Sequence, residues 1–176
     1  MAQVFDAARL GRTGYYGFAF KLSPDWIFDS NRITLMQFMA DFSDVDCGRH
    51  TEKHWMPTVS VWVRNDKAYT RYRYGHPCDN FHNNVVHKIT EEFKLGNVTP
   101  GVWHTVVLGI HWHRDKKGFF RAWYDENGPP SSYVLKVDEQ FVHTLPELRD
   151  DRYSSLKFFM LNIYNIYDDS NLINYL

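Results

Sequence analysis

The sequence predicts an all-β sandwich or jelly roll, and two observations lead to this prediction. Phe, Tyr and Trp make up 17% of the 176 residues, and aromatic side chains favour the pleated, half-buried surfaces of strands. Short apolar runs recur at short spacing between Gly, Pro and Asp turn signals, and no long stretch has convincing helical periodicity. Because the length is typical of one domain, we expect a single domain over residues 1–176.

The strand-like runs follow one another along the whole chain. In chain order, the predicted strands are 15–22, 32–42, 58–64, 68–74, 104–113, 118–125, 132–137, 156–165 and 171–176. Short polar loops join 58–64 to 68–74 and 104–113 to 118–125, which predicts two hairpins. A helical turn is predicted at 87–93.

Two long polar interruptions, 41–57 and 75–100, flank the first of these hairpins. Long loops in a compact β domain are usually functional or mobile, so we expect these two to wall one end of a cleft. They hold the two cysteines, Cys47 and Cys78. Two cysteines are too few for a disulfide scaffold, although a single bridge is compatible with their positions.

The charge balance and hydropathy exclude some functions. With 20 Lys and Arg against 21 Asp and Glu, the net charge is −1, so we expect no nucleic-acid partner. No apolar run reaches the roughly 18 residues of a membrane span, so we expect no membrane partner. The first residues do not form a secretory signal, whereas the sequon Asn97-Val98-Thr99 is compatible with secretion. We expect a secreted, extracellular monomer.

The familiar catalytic motifs are absent from the sequence. It contains no G-x-S-x-G nucleophile elbow and no glycine-rich phosphate loop. The predicted strands are poor in the Asp and Glu pairs that glycoside hydrolysis requires. His111 and His113 share one face of a strand, as a zinc pair would, but no third ligand can be named. Surface histidines on a solvated strand are the favoured interpretation.

The strands instead contain uncharged and basic polar side chains. These are Gln37, Arg64, Arg71, Tyr72, Arg73, Tyr74, Asn162, Tyr164 and Asn165. Guanidinium groups bind carboxylates, and a phenol can transfer a proton. This set therefore favours an anionic ligand over a neutral one.

Five segments, in order, resemble the polysaccharide lyases of the glucuronan-lyase and heparin-lyase-I-like group. They are GRTGYYGFAFKLSPDW (11–26), ITLMQFMADF (33–42), MPTVSVWVRND (56–66), GVWHTVVLGIHWHRDKKGFFRAWYDENG (101–128) and LKFFMLNIYN (156–165). The resemblance implies a concanavalin-A-like β-jelly roll of two antiparallel sheets, with a concave groove for the polysaccharide. It also implies cleavage of a uronate-containing, glucuronan-like polymer by β-elimination, in which a base removes the proton next to the carboxylate.

Site residues follow from the resemblance to the related alginate lyases. Their Gln-Ile-His strand motif corresponds to Gln37-Phe38-Met39, which keeps the Gln and replaces the His with Met39. Their Tyr-x-Lys-x-Gly-x-Tyr-x-Gln motif corresponds to 158–166, which keeps the later Tyr as Tyr164. The resemblance therefore implies Tyr164 as the base and acid, with Gln37 neutralising the carboxylate.

The remaining expectations concern substrate contacts, metals and the N-terminus. We expect Arg64, Arg71, Arg73, Tyr72, Asn162 and Asn165 to bind substrate. No cofactor is expected for the chemistry, but the resemblance is compatible with a structural Ca²⁺ at loop residues such as Asp168, Asp169 and Asn171. The family's N-terminal arginine motif is missing, which leaves open whether the domain lacks an edge strand. The alternative function is a non-catalytic, lectin-like carbohydrate-binding jelly roll.

Gln37 is the least expected side chain in its apolar strand. Period-two alternation places it on one face with Ile33, Leu35 and Met39, and places Met36 and Phe38 on the other. The amide can bond to a neighbouring strand, or it can face a cleft and neutralise a carboxylate. The resemblance favours the cleft.

Overall fold

The computed structural model describes residues 2–9, 11–41, 55–75, 89–126, 134–145 and 155–164. These ranges contain ten strands and no helix. The strands are β1 (Ala2–Arg9), β2 (Thr13–Lys21), β3 (Ile33–Asp41), β4 (Trp55–Arg64), β5 (Lys67–Tyr74), β6 (Ile89–Asn97), β7 (Trp103–His111), β8 (Gly118–Asp125), β9 (Val134–Val142) and β10 (Ser155–Tyr164). Because the described ranges lack helices, none of them contains a helix that could cross a membrane.

The strands form two antiparallel sheets. One has six strands in the order β1-β10-β3-β4-β5-β6, and the other has four in the order β2-β7-β8-β9. Neighbours in the sheets are often distant in sequence, as where β10 inserts between β1 and β3. This arrangement confirms the predicted all-β jelly-roll sandwich.

The core lies between the two sheets and is rich in aromatic side chains. The ring of Phe38 in β3 lies 5.1 Å from Trp112, and the ring of Tyr72 in β5 lies 5.2 Å from Phe120 in β8. Strand alternation buries one face of each sheet, so these rings close the sandwich from both sides. The other face of the six-stranded sheet stays outside this core.

Both predicted hairpins are present, because their signals are local. β4 and β5 are joined through Asn65 and Asp66, and Asn65 adopts φ 53°. Asn is one of the few residues other than Gly that tolerate this left-handed conformation, so the turn is encoded directly in the sequence. β7 and β8 form the second hairpin in the register Gly109 opposite Arg121.

One prediction about secondary structure is wrong. The expected helical turn at 87–93 overlaps β6, where exposed Thr90, Glu92 and Lys94 alternate with the less exposed Glu91 and Phe93. That alternation has the period of a strand, and pairing with β5 stabilises it.

The edge strand left open by the sequence is present as β1, which pairs with β10. Cys47, Cys78 and the expected strand 171–176 lie outside the described residues.

Candidate functional site

The outer face of the six-stranded sheet presents two rows of polar and aromatic side chains. In the first row, Gln37 of β3 is opposite Ser60 of β4, which is opposite Arg71 of β5. In the second row, Thr34 is opposite Trp62, which is opposite Tyr69. We call this surface, together with the arginines Arg32, Arg64, Arg71 and Arg73, the arginine face.

A β-bulge brings Gln37 onto the arginine face. The register shifts between Thr34 and Met36, so that Leu35 is an extra residue in β3. Leu35 and Ile33 are buried in the core, which corrects the prediction that they share a face with Gln37. A bulge interrupts simple alternation, and period two therefore fails on this strand. The predicted core positions Met36 and Phe38 are fully buried.

Tyr72 and Arg71 are neighbours in β5 but lie on opposite faces of the sheet. Tyr72 is 3% exposed and packs on Phe120 and Phe93 in the core. This burial contradicts its predicted role in substrate binding, because strand alternation turns the ring away from the arginine face. Arg71 is 6% exposed and lies over the Trp62 indole, with its guanidinium carbon 5.7 Å from the ring centroid.

Cations outnumber anions on the arginine face. In the described part of the chain, Arg64 forms the one ion pair of these arginines. Its guanidinium nitrogen lies 3.5 Å from a carboxylate oxygen of Glu92, and both side chains are partly exposed. The Nε atoms of Arg32, Arg71 and Arg73 are buried without a hydrogen-bond partner there. Buried donors of this kind are costly to leave unpaired, so the face is suited to an anionic ligand.

Burial lowers the pKa values of three of the arginines, and for Arg32 and Arg71 the neighbouring cations add to this effect. Burial, and then the neighbouring cations Arg32 and Arg73, lowers the pKa of Arg71 to about 9. Burial lowers the pKa of Arg32 to about 10, and Arg73 and Arg64 act in the same direction while Glu92 opposes it. Burial lowers the pKa of Arg73 as well. All three remain charged at neutral pH, and an incoming anion would stabilise that charge.

Two hydroxyl groups lie among these side chains. Thr58 and Ser60 are both fully buried in β4. The Thr58 hydroxyl donates to the Phe38 carbonyl oxygen at 3.3 Å, whereas the Ser60 hydroxyl has no partner among the described residues. Ser60 lies between Gln37 and Arg71 in the first row, so a ligand bound there would reach its hydroxyl once the covering side chains move aside.

β10 borders β3 and brings a second predicted segment next to the arginine face. Met160 pairs with Gln37, and after a register shift Tyr164 pairs with Thr34. The backbone of Tyr164 therefore adjoins the second row, and Asn162 lies in the same strand. The catalytic role of Tyr164 and the binding role of Asn162 stay predictions, and Asn165 lies outside the described residues.

The sequence missed three members of this surface. Arg32 immediately precedes β3, Ser60 and Trp62 lie in β4, and the predicted site contains none of them. The fold brings Arg32 to the arginine face, where its guanidinium carbon lies 3.8 Å from the centroid of Trp62. The sequence did contain a signal for Trp62. This residue alternates with the core valines Val61 and Val63, which places it on the opposite face of β4.

The described residues contain no group of three or more His, Cys, Asp or Glu side chains that could hold a metal ion. His111 and His113 have rings 6.0 Å apart, on the other sheet and the loop that follows it. The Nδ1 atom of His113 accepts from the Asp115 amide at 3.1 Å. The calcium candidates Asp168, Asp169 and Asn171 lie outside the described residues.

Comparison with known proteins agrees with this fold. The structure is similar to that of the endo-β-1,4-glucuronan lyase from the fungus Trichoderma reesei, with a TM-score of 0.70 and 30% sequence identity. The match covers 93% of this chain and 62% of that one, so this chain spans less than two thirds of the fungal protein. The comparison with curated proteins found no match. A family model described as polysaccharide lyase matches residues 2–155, and the chain therefore belongs to the polysaccharide lyase family.

Proposed function

We propose that this protein is a lyase that cleaves a uronate-containing, glucuronan-like polysaccharide by β-elimination. The observation that supports this most strongly is the excess of buried cations on the arginine face, beside Gln37 and Ser60. A polyanionic chain would supply the carboxylates that these donors lack. Family membership and the similarity to a glucuronan lyase point to the same chemistry.

The first task of the site is to neutralise the carboxylate of the sugar that reacts. Arg71 supplies charge, and Gln37 and Ser60 supply neutral donors in the same cross-strand row. A neutralised carboxylate stabilises negative charge on the adjacent carbon C5, which makes its proton more acidic. Arginine suits this task because its planar guanidinium binds both carboxylate oxygens.

The elimination then needs one base and one acid. The base takes the C5 proton, the electron pair forms the C4=C5 double bond, and the C4–O bond breaks. A proton is delivered to the departing glycosidic oxygen, so the overall reaction balances without an oxidant. In the proposed mechanism Tyr164 fills both roles. The pKa of a free tyrosine is about 10, and cations close by would favour the phenolate.

The proposed setting is outside the cell. A polymeric substrate would be met there, and the Asn97-Val98-Thr99 sequon lies at the exposed end of β6. The protein would act as a monomer, and a calcium ion, if bound, would be structural.

A substrate panel tests the proposed reaction. The protein is incubated with glucuronan, alginate, heparin and hyaluronan, and the ultraviolet absorbance of the unsaturated uronate is followed. We expect a rise with glucuronan. Measurable glycan binding without a rise for any polymer would contradict the lyase proposal and support the non-catalytic lectin-like alternative.

A single substitution tests the proposed base. Tyr164→Phe should lower kcat by roughly 100-fold or more, the usual contribution of a positioned acid or base. Tyr15→Phe is the matched control, because Tyr15 lies on the four-stranded sheet and is 64% exposed. Full activity of Tyr164→Phe would remove this assignment while leaving the substrate proposal intact.

A further inference from the structure

Trp62 is buried without belonging to the core between the sheets. Its neighbours Val61 and Val63 are core residues, whereas Trp62 is in the outer row between Thr34 and Tyr69. It is 1% exposed, and its ring stacks on Tyr69 at 5.7 Å with an interplanar angle of 13°. Its burial therefore comes from the outer side chains that cover it.

Arg32 is one of those covering side chains. Its guanidinium carbon lies 3.8 Å above the indole centroid, closer than that of Arg71, at 5.7 Å. Stacking on an aromatic face orients the planar guanidinium but leaves its in-plane N–H donors free to bind an anion. The Nε of Arg32 and the indole Nε1 of Trp62 are both buried without a partner in the described residues.

Arg32 and Arg71 belong to adjacent rows of the arginine face. The backbone of Arg71 is in the row of Gln37 and Ser60, and its guanidinium extends toward Trp62. Arg32 lies directly on the Trp62 ring. Residues two apart along a strand are separated by roughly 7 Å. Both guanidinium carbons lie near the same indole centroid, at 3.8 and 5.7 Å, so one short oligosaccharide spans the two cations. Carboxylates on successive sugars could therefore reach both arginines.

We propose that Arg32, held on Trp62, forms a second carboxylate subsite beside the one at Gln37 and Arg71. The two subsites together select polymers in which adjacent sugars both carry a carboxylate. This inference rests on the proposed function for the placement of the substrate, and it adds a specificity-determining residue to it. A polymer that alternates uronate with a neutral sugar would fill only one of the two subsites.

Binding measurements test the subsite separately from catalysis. The inactive Tyr164→Phe protein is titrated by calorimetry with a tetrasaccharide of glucuronate, and with one that alternates glucuronate and N-acetylglucosamine. Arg32→Gln should weaken binding of the first about 10-fold or more, as expected for a lost charge-assisted contact, and change binding of the second by less than about threefold. Arg121→Gln is the matched control, since Arg121 also stacks on an aromatic ring, 4.9 Å from Phe119 on the other sheet.

Two results would overturn this inference. One is an equal loss for both tetrasaccharides, and the other is no loss for either. Arg32→Lys keeps a cation and should bind the glucuronate tetrasaccharide more tightly than Arg32→Gln, so equal binding by the two variants also counts against the subsite. If Arg32→Gln does not fold, Arg32→Lys replaces it. The subsite then predicts that Arg32→Lys weakens binding of the glucuronate tetrasaccharide more than binding of the alternating one, and an equal change for both would overturn it. A panel with no absorbance change would refute the lyase proposal but not the subsite, because these titrations need no turnover.

Discussion

The outer faces of the two sheets carry similar side chains in opposite arrangements. On the four-stranded sheet, Tyr15, Gly109, Arg121 and Asp138 form one cross-strand row. Arg121 is paired there with Asp138 at 2.8 Å. On the arginine face, Arg32 and Arg71 form no ion pair among the described residues, although Glu92 lies opposite Arg71 in the neighbouring strand. Their guanidinium groups cover the ring of Trp62 instead of leaving it exposed.

This difference shows how a ligand face can be told from a solvated one. A surface that meets only water balances its charges locally, as Arg121 does, and gains little from each exposed pair. A surface that holds several desolvated cations near one another loses stability unless a ligand supplies the opposite charge. The arginine face therefore lowers the free energy of unfolding but favours binding of an anion. Substitutions on the two faces and in the core should separate these two effects.

The largest expected effect on stability is on the core side of β5. Tyr72→Ala removes a ring that packs on Phe93 and Phe120. The cavity should lower the free energy of unfolding by about 3–5 kcal/mol, as measured by chemical denaturation. A loss below about 1 kcal/mol would mean that this ring is not part of the core.

The neighbouring Arg71 should behave in the opposite way. Arg71→Gln should lower kcat/KM on the cleaved polymer by roughly 100-fold, because a preorganised charge opposite the carboxylate is lost. Its free energy of unfolding should not fall, because the substitution removes a buried cation that repels Arg32 and Arg73. Reduced activity together with a clear loss of stability would instead indicate a structural role.

The pH dependence of stability should differ between Arg71→Gln and the parent protein. Because the folded-state pKa of Arg71 is about 9, below its ordinary value, the buried charge destabilises the fold fully below about pH 9. As the pH rises above this value, the folded state releases a proton that the unfolded state retains, and the parent gains stability. The advantage of the variant should therefore shrink as the pH rises above about 9 toward the ordinary arginine value in denaturation experiments. A constant difference would contradict this pKa.

The smallest effect is expected on the other outer face. Arg121→Gln breaks an exposed pair with Asp138 and should change the free energy of unfolding by less than about 1 kcal/mol. Activity on the polysaccharide should stay at the parent level in the absorbance assay. A fall in activity close to that of Arg71→Gln would erase the distinction between the two faces.

The strands and hairpins were predictable because their signals are local. Alternating apolar residues and the Asn65-Asp66 turn encode β4 and β5 without help from the rest of the chain. Two features depend on partners that are distant in sequence. The bulge at Leu35 is defined by pairing with β4, and β6 became a strand by pairing with β5. Local periodicity carries no information about either partner.

The sequence predicted which types of residue form the candidate site better than it predicted which face of the sheet each residue occupies. Arg71, Arg73 and Gln37 were selected because basic and amide groups suit an anionic ligand. Tyr72 was selected for the same kind of reason, yet its ring lies in the core. Arg32 was overlooked although it began the predicted strand 32–42, because only the pairing of β3 with β4 brings it onto Trp62.

The sequence by itself determined the all-β class, the family resemblance and the surplus of arginine in β4 and β5. These properties depend on composition and short-range patterns, which do not require knowledge of tertiary contacts. Only the tertiary structure decided which arginines share a face, which tyrosine is buried, and which indole Arg32 covers. The physical reason is that charge repulsion, burial and stacking act between strands, and pairing sets their distances.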